Sequence, residues 1–128
     1  MPNNPNPKRK AESISEPDQM NPKSPEEYLE RGWLYYSRQK FDKAESDIRQ
    51  VLQADPADIE AWYALGLTLK AQGNTDKAIE AFAKVDQSTA YLDDRQRAMI
   101  ILRLAHGQVN LIRTGNWNLE NEIWKTKQ

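Results

Sequence analysis

The chain has 128 residues, of which 38% are hydrophobic, a formal net charge of −1 and no cysteine. This length and composition fit one domain with a modest core, and the missing cysteine excludes disulfides, cysteine zinc sites and thiol nucleophiles. Because the charge is near neutral and no apolar run is longer than that of residues 98–102, we expect a soluble cytoplasmic protein without nucleic-acid or membrane partners.

The first 23 residues are rich in proline and lack aromatic side chains. Six of the seven prolines lie in residues 1–25, and the first aromatic residue is Tyr28. Such a segment buries too little apolar surface to offset the entropy lost on ordering. Residues 1–23 are therefore predicted to form a disordered tail. We interpret its Lys8-Arg9-Lys10 triplet as a solvated charged patch, with nuclear import or phosphate contact as alternatives.

Four helices are predicted between residues 25 and 85 from capping and breaking residues. Ser24 is placed to cap the first helix, with Pro25 in its first turn and Glu27 completing a capping box. Asp58 is placed to cap the third helix, and Gly73 supplies a left-handed turn before the fourth. The predicted helices cover residues 25–37, 41–54, 59–72 and a stretch from Asn74 to about Val85, and Asp55-Pro56 ends the second.

Two further helices are predicted in a less regular C-terminal part. A long fifth helix, from about 93 to 113, is indicated by an apolar stripe with helical spacing. A short sixth helix is predicted from about 117 to 125. Gly115-Asn116 repeats Gly73-Asn74 at an offset of 42 residues, and the same offset aligns Leu104 with Trp62 and Leu111 with Leu69. The stripe consists of residues 98, 101, 102, 105, 109 and 112.

Small and bulky residues of the first two helical pairs recur at an interval of 34 residues. A fixed period of this length indicates stacked copies of one helix-turn-helix unit. A third copy fails in strict register, so residues 93–128 are interpreted as a degenerate unit that covers the end of the stack. The first copy carries Tyr28, Gly32, Tyr35, Ala44 and Ile48, which return as Trp62, Gly66, Leu69, Ala78 and Phe82.

The pattern W-x-x-L-G-x-x-Y…A-x-x-x-F…P resembles that of the tetratricopeptide repeat family. Arg31 departs from it in the first copy, and Leu69 and Ala90 depart from it in the second. The resemblance implies an all-α fold, a right-handed α-solenoid of two regular units and one degenerate or capping unit with about six helices. The repeat domain would cover residues 24–128, with units at about 25–58, 59–92 and 93–128.

The sequence offers no arrangement of residues suited to catalysis or to holding a cofactor. His106 is the single histidine, the glycines are isolated and the carboxylates are scattered along predicted helix surfaces. We therefore predict a protein that is not an enzyme, with no catalytic residue, no cofactor and no metal.

The resemblance also implies a concave groove, lined by the first helix of each pair, that binds a peptide or a partner helix. Aromatic side chains are frequent on the corresponding stripe, and they suit interface hot spots. A scaffold or adaptor for a protein partner is therefore the leading interpretation. The predicted groove residues are Glu26, Leu29, Trp33, Tyr36, Glu60, Tyr63, Leu67 and Lys70.

Two alternatives to this adaptor function remain open. The C-terminal unit could pair with itself and form a homodimer, while residues 117–128 fold back over the groove. Nucleic-acid binding is disfavoured, because residues 93–128 hold six Lys or Arg against four Asp or Glu.

Overall fold

A computed structural model describes residues 16–88 and 93–119 of the protein. Within these ranges the chain forms α-helices, a short 3-10 helix and no strand, which confirms the predicted all-α fold. The α-helices are α1 (Pro25–Ser37), α2 (Phe41–Ala54), α3 (Ile59–Ala71), α4 (Thr75–Ser88) and α5 (Arg95–Thr114), and the 3-10 helix is Pro17–Gln19.

The predicted helix starts are confirmed by hydrogen bonds from capping side chains. Ser24 Oγ accepts from the Glu27 N–H at 3.2 Å, and Asp58 Oδ1 accepts from the Ala61 N–H at 3.0 Å. The Glu27 carboxylate turns back to the N–H of Lys23 at 2.8 Å, one residue before the position that a capping box requires. Each of these bonds satisfies a backbone donor near a helix start.

A residue with a left-handed backbone conformation follows a helix in each regular pair and in the C-terminal unit. Gly73 has φ 83° and Gly115 has φ 75°, as their alignment predicted. Gln39, 34 residues before Gly73 in the sequence, adopts φ 64° at the end of α1. The two repeats therefore share one turn geometry, although only the second has the residue that adopts it without strain.

The helices form a stack in which each one packs on the next. Contacts join α1 to α2, α2 to α3, α3 to α4 and α4 to α5. The first helices of the pairs also touch one another, α1 against α3 and α3 against α5. The most completely buried large side chains are Phe82, Ile48, Ile59, Leu65, Val51 and Val85.

Glycines permit the closest helix contacts, as the repeat pattern predicted. A Cβ atom at Gly66 would lie 2.4 Å from the Phe82 ring, and one at Gly32 would lie 3.1 Å from Ile48 Cγ1. Gly107 allows a similarly close contact with the non-helical residue Trp117, whose ring would lie 2.0 Å from an added Cβ.

Residues 16–23 differ from the predicted disordered tail, because they lie against α1 and α2. Pro17 is buried, and the Tyr35 hydroxyl donates to Asp18 Oδ1 at 2.6 Å. This hydrogen bond, together with Lys43, lowers the pKa of the Asp18 carboxyl. The boundary predicted at residue 23 is therefore too late, and residues 1–15, including Lys8-Arg9-Lys10, lie outside the described ranges.

A partly buried ion pair joins α1 to α2 at the position where Arg31 departs from the repeat pattern. Arg31 Nε and Nη2 donate to Asp47 Oδ2 and Oδ1, both at 2.8 Å, and Arg31 Nη1 donates to the Met20 carbonyl at 3.3 Å. The second repeat has Leu65 and Ala81 at the equivalent positions. The first repeat thus has a polar pair where the second has an apolar one. Arg31 of the polar pair also binds residues 16–23, through the Met20 carbonyl.

The predicted stripe of α5 faces the core, but the 42-residue alignment places two other side chains wrongly. That alignment put Leu104 and Leu111 at the packing positions of Trp62 and Leu69, whereas they are 38% and 36% exposed. In the stripe, Ala98, Ile101 and Ala105 are buried, and Leu102, Val109 and Ile112 pack against the core.

The chain turns back along α5 after Gly115. Asn110 Nδ2 donates to the Trp117 carbonyl at 2.8 Å and holds this return. The predicted sixth helix does not begin at Trp117, since Trp117 and Asn118 are not helical. Leu119 has 3-10 geometry, and the rest of that prediction, residues 120–125, lies outside the described ranges.

Candidate functional site

The first helix of each pair contributes one wall to an open pocket of about 550 Å³. Trp33 comes from α1, Tyr63 from α3, and Ile100 and Leu104 from α5. The three helices lie side by side, so their outward faces form one continuous groove. The pocket is lined by Trp33, Glu60, Tyr63, Asp94, Gln96, Arg97, Ile100, Ile101 and Leu104.

The apolar walls of this pocket remain open to solvent, and neighbouring groups hold its two aromatic side chains. Ile100 is 61% exposed and Leu104 is 38% exposed. Trp33 Nε1 donates to Glu60 Oε2 at 3.2 Å, which ties α1 to α3. The Tyr63 ring lies 5.7 Å from the buried Phe82 ring, which supports it from behind. An exposed apolar surface on a rigid frame is typical of a binding site.

A second pocket, of about 320 Å³, continues the groove towards the starts of α1 and α3. Glu60 and Arg97 line both pockets and form an ion pair between α3 and α5. This ion pair therefore marks the boundary between an apolar part and a charged part. The second pocket is lined by Pro25, Glu26, Leu29, Ala54, Asp55, Asp58, Glu60 and Arg97.

Three of the predicted groove residues support the pocket and do not line it. The Tyr36 ring packs edge-on against Trp33, with ring centres 6.0 Å apart. Lys70 Nζ donates to Gln108 Oε1 at 2.8 Å and joins α3 to α5, while Leu67 packs against the core. The other five predicted residues, Glu26, Leu29, Trp33, Glu60 and Tyr63, line one pocket or both.

Burial raises the pKa of two groups in the groove. Burial is the main reason that the pKa of the Tyr63 hydroxyl is raised, against the opposing effect of its hydrogen bond with Gln108. Burial also raises the pKa of the Asp58 carboxyl, against the opposing effect of the Ala61 N–H that it accepts.

The histidine lies elsewhere, in the interface between α4 and α5. His106 Nε2 is 3.0 Å from Asp86 Oδ1, and His106 lines neither pocket of the groove. Within residues 16–88 and 93–119, no three His, Cys, Asp or Glu side chains are grouped so as to hold a metal ion. In the same ranges no helix combines the length and the apolar character needed to cross a bilayer.

Sequence reasoning missed the wall that α5 contributes. The repeat pattern identified groove positions only in the two regular copies, and α5 is longer than α1 or α3. Ile100 and Leu104 follow Tyr63 and Leu67 by 37 residues, whereas the turn at Gly115 follows Gly73 by 42. No single offset therefore finds both features. The exposed apolar residues outside the core stripe of α5 were the available signal.

Comparison with known proteins gives one family match and one relative. Residues 29–92 match the sequence profile of the tetratricopeptide repeat. Superkiller complex protein 3 of Homo sapiens is 30% identical over 60 residues, which are 47% of this chain and 4% of that protein. The chain thus corresponds to a small part of this relative's length. No solved structure matches the chain at a significant level.

Proposed function

Since the chain belongs to the tetratricopeptide repeat family, whose repeats generally mediate protein–protein interaction, we propose that it is a non-enzymatic interaction module. Its ligand is a peptide or a partner helix that lies in the groove formed by α1, α3 and α5. Trp33, Tyr63, Ile100 and Leu104 form the apolar contact, and Glu26, Leu29 and Glu60 contact the neighbouring part of the ligand.

The exposure of apolar side chains on α5, opposite two aromatic residues, is the observation that carries this proposal. Within residues 16–88 and 93–119, Ile100 is the most exposed large hydrophobic side chain, at 61%. Trp33 and Tyr63 are rigid and offer large contact areas at low cost in conformational entropy. A ligand side chain that enters between them and Ile100 removes apolar surface from water on three helices at once.

We expect Trp33→Ala and Tyr63→Ala each to abolish capture of a partner, because each removes one wall of the apolar pocket. The measurement is affinity capture from native lysate with quantitative mass spectrometry. Ile100→Ala is expected to weaken capture with little change in stability, since this side chain is mostly exposed. A thermal melt of each variant verifies that the fold persists.

Trp62→Ala is the matched control for Trp33→Ala. Trp62 also lies half-buried in a first helix, but its Nε1 donates to the Pro56 carbonyl at 2.7 Å and it lines neither pocket. Partners captured by the unchanged chain and by Trp62→Ala, but lost with Trp33→Ala, support the groove. Partners retained by Trp33→Ala and Tyr63→Ala together would contradict it.

Self-association is the second candidate, and the apolar row on α5 favours it. Met99 and Ile100 are 45% and 61% exposed, which gives the C-terminal unit an apolar surface that a second copy would cover. Light scattering at several concentrations separates the two functions. A dimer that dissociates on Ile100→Ala supports self-association, and a monomer at every concentration removes it.

A further inference from the structure

We propose that the groove selects partner segments in which an apolar side chain stands two or three residues from a lysine or arginine. This inference rests on the proposed function and deepens it, since it specifies the chemistry of the segment bound. It commits to a linear peptide segment of a separate partner protein.

The groove as a whole is strongly acidic. Five carboxylates line the two pockets, against the single guanidinium of Arg97. Arg97 is already engaged with Glu60, so it leaves little positive charge for a ligand. The five carboxylates are those of Glu26, Asp55, Asp58, Glu60 and Asp94.

Helix dipoles offset only part of this negative charge. Three carboxylates belong to helix starts, because Glu26 lies in the first turn of α1 and Asp58 and Asp94 cap α3 and α5. Each helix start carries roughly half a positive charge. Three helix starts therefore offset about one and a half of the five negative charges, and Arg97 offsets one more. The remaining field attracts a cation and repels an acidic segment.

The distance between the apolar part and the acidic part of the groove sets the distance between the apolar side chain and the Lys or Arg of the ligand. Trp33 follows Glu26 by seven residues on α1, and Tyr63 follows Asp58 by five residues at α3. At about 1.5 Å per residue along a helix, the two parts lie roughly 7–10 Å apart. An extended peptide covers about 3.3 Å per residue, so this distance corresponds to two or three residues.

The test is selection of a cysteine-free phage library of random ten-residue peptides on the full chain. We expect the enriched peptides to share a Leu, Ile, Phe or Trp two or three residues from a Lys or Arg. Synthetic versions of these peptides are then measured by fluorescence anisotropy. Glu26→Lys should lower the affinity of the chain for these peptides by about three- to tenfold, because it replaces an attraction with a repulsion. Added salt should lower this affinity as well.

Glu80→Lys is the matched control for Glu26→Lys. Glu80 is an exposed residue of α4 that lines neither pocket of the groove. The same change of net charge at this position is expected to leave peptide affinity within about twofold of the unchanged chain.

The outcomes separate this inference from the proposed function. One outcome is that peptide binding requires Ile100, but the peptides show no preference for Lys or Arg and bind Glu26→Lys equally well. This outcome overturns the charge preference and leaves the groove as the binding site. Peptides that bind Ile100→Ala and Trp33→Ala as well as the unchanged chain overturn the groove itself. Failure to enrich any groove-dependent peptide overturns both.

Discussion

Arg31→Leu is expected to lower the free energy of unfolding by about 3 kcal/mol, although leucine is the residue that the repeat pattern favours there. The Asp47 side chain is only 6% exposed, and Arg31 provides both of its close ion-pair hydrogen bonds. Removing one partner leaves a carboxylate buried without compensation, which costs far more than the pair itself contributes. Urea unfolding at pH 7 measures the loss.

The double variant Arg31→Leu with Asp47→Ala is expected to recover most of this loss, to within about 1 kcal/mol of the unchanged chain. It gives the first repeat the pair that the second repeat has, Leu65 and Ala81. Neither Leu65 nor Ala81 is more than 4% exposed, so the apolar pair fits this environment.

Arg49→Leu serves as the control for the ion pair. Arg49 pairs with Glu45 one turn away on the surface of α2, and its side chain is 49% exposed. Exposed pairs of this kind contribute only about 0.3–0.5 kcal/mol.

A double variant at positions 31 and 47 that is no more stable than either single variant would contradict the assignment of these residues to one unit.

Gly66→Ala is expected to destabilise the protein by about 2 kcal/mol, although alanine is the better helix former by about 1 kcal/mol. The added Cβ would meet three atoms of the Phe82 ring at 2.4 to 2.7 Å. Phe82 is 1% exposed and belongs to the hydrophobic core, so a shift of its ring also disturbs the side chains packed around it. Because Tyr63 packs on the same ring, the displaced ring is also expected to disturb the groove and weaken partner binding.

Gly32→Ala is the comparison that isolates the contact with the ring. At this position the nearest atom is Ile48 Cγ1 at 3.1 Å, so a small shift suffices and the gain in helix propensity offsets it. We expect a change within about 0.5 kcal/mol. Phe82→Leu should reduce the cost of Gly66→Ala, since it removes the atoms that clash. Equal losses for the two alanine variants would contradict this packing account.

The sequence predicts the regular pairs well because local signals there agree with tertiary packing. Ser24 and Asp58 cap the helices that they were expected to cap, and the predicted spans of α1 and α2 match the observed ones. The left-handed turn at Gly73 follows from the same kind of local signal. Five of the eight predicted groove residues line a pocket, because the period of 34 residues fixes which face of each first helix is outward.

The order of residues 16–23 is not predictable from composition. That segment has few apolar residues, and it is held by polar groups from distant parts of the chain, Tyr35 on Asp18 and Arg31 on the Met20 carbonyl. Arg31 was visible as a departure from the repeat pattern, but its partner was not. Comparison of Asp47 with Ala81, its equivalent in the second repeat, was the available signal.

The central claim is that α1, α3 and α5 form the surface that a partner occupies. Nuclear magnetic resonance tests it directly, since the indole N–H of Trp33 lies in the groove and those of Trp62 and Trp117 do not line it. On addition of a peptide enriched by selection, the account predicts that the Trp33 indole signal moves while the Trp62 and Trp117 signals stay in place. Movement of the Trp62 or Trp117 signal with an unchanged Trp33 signal would contradict it.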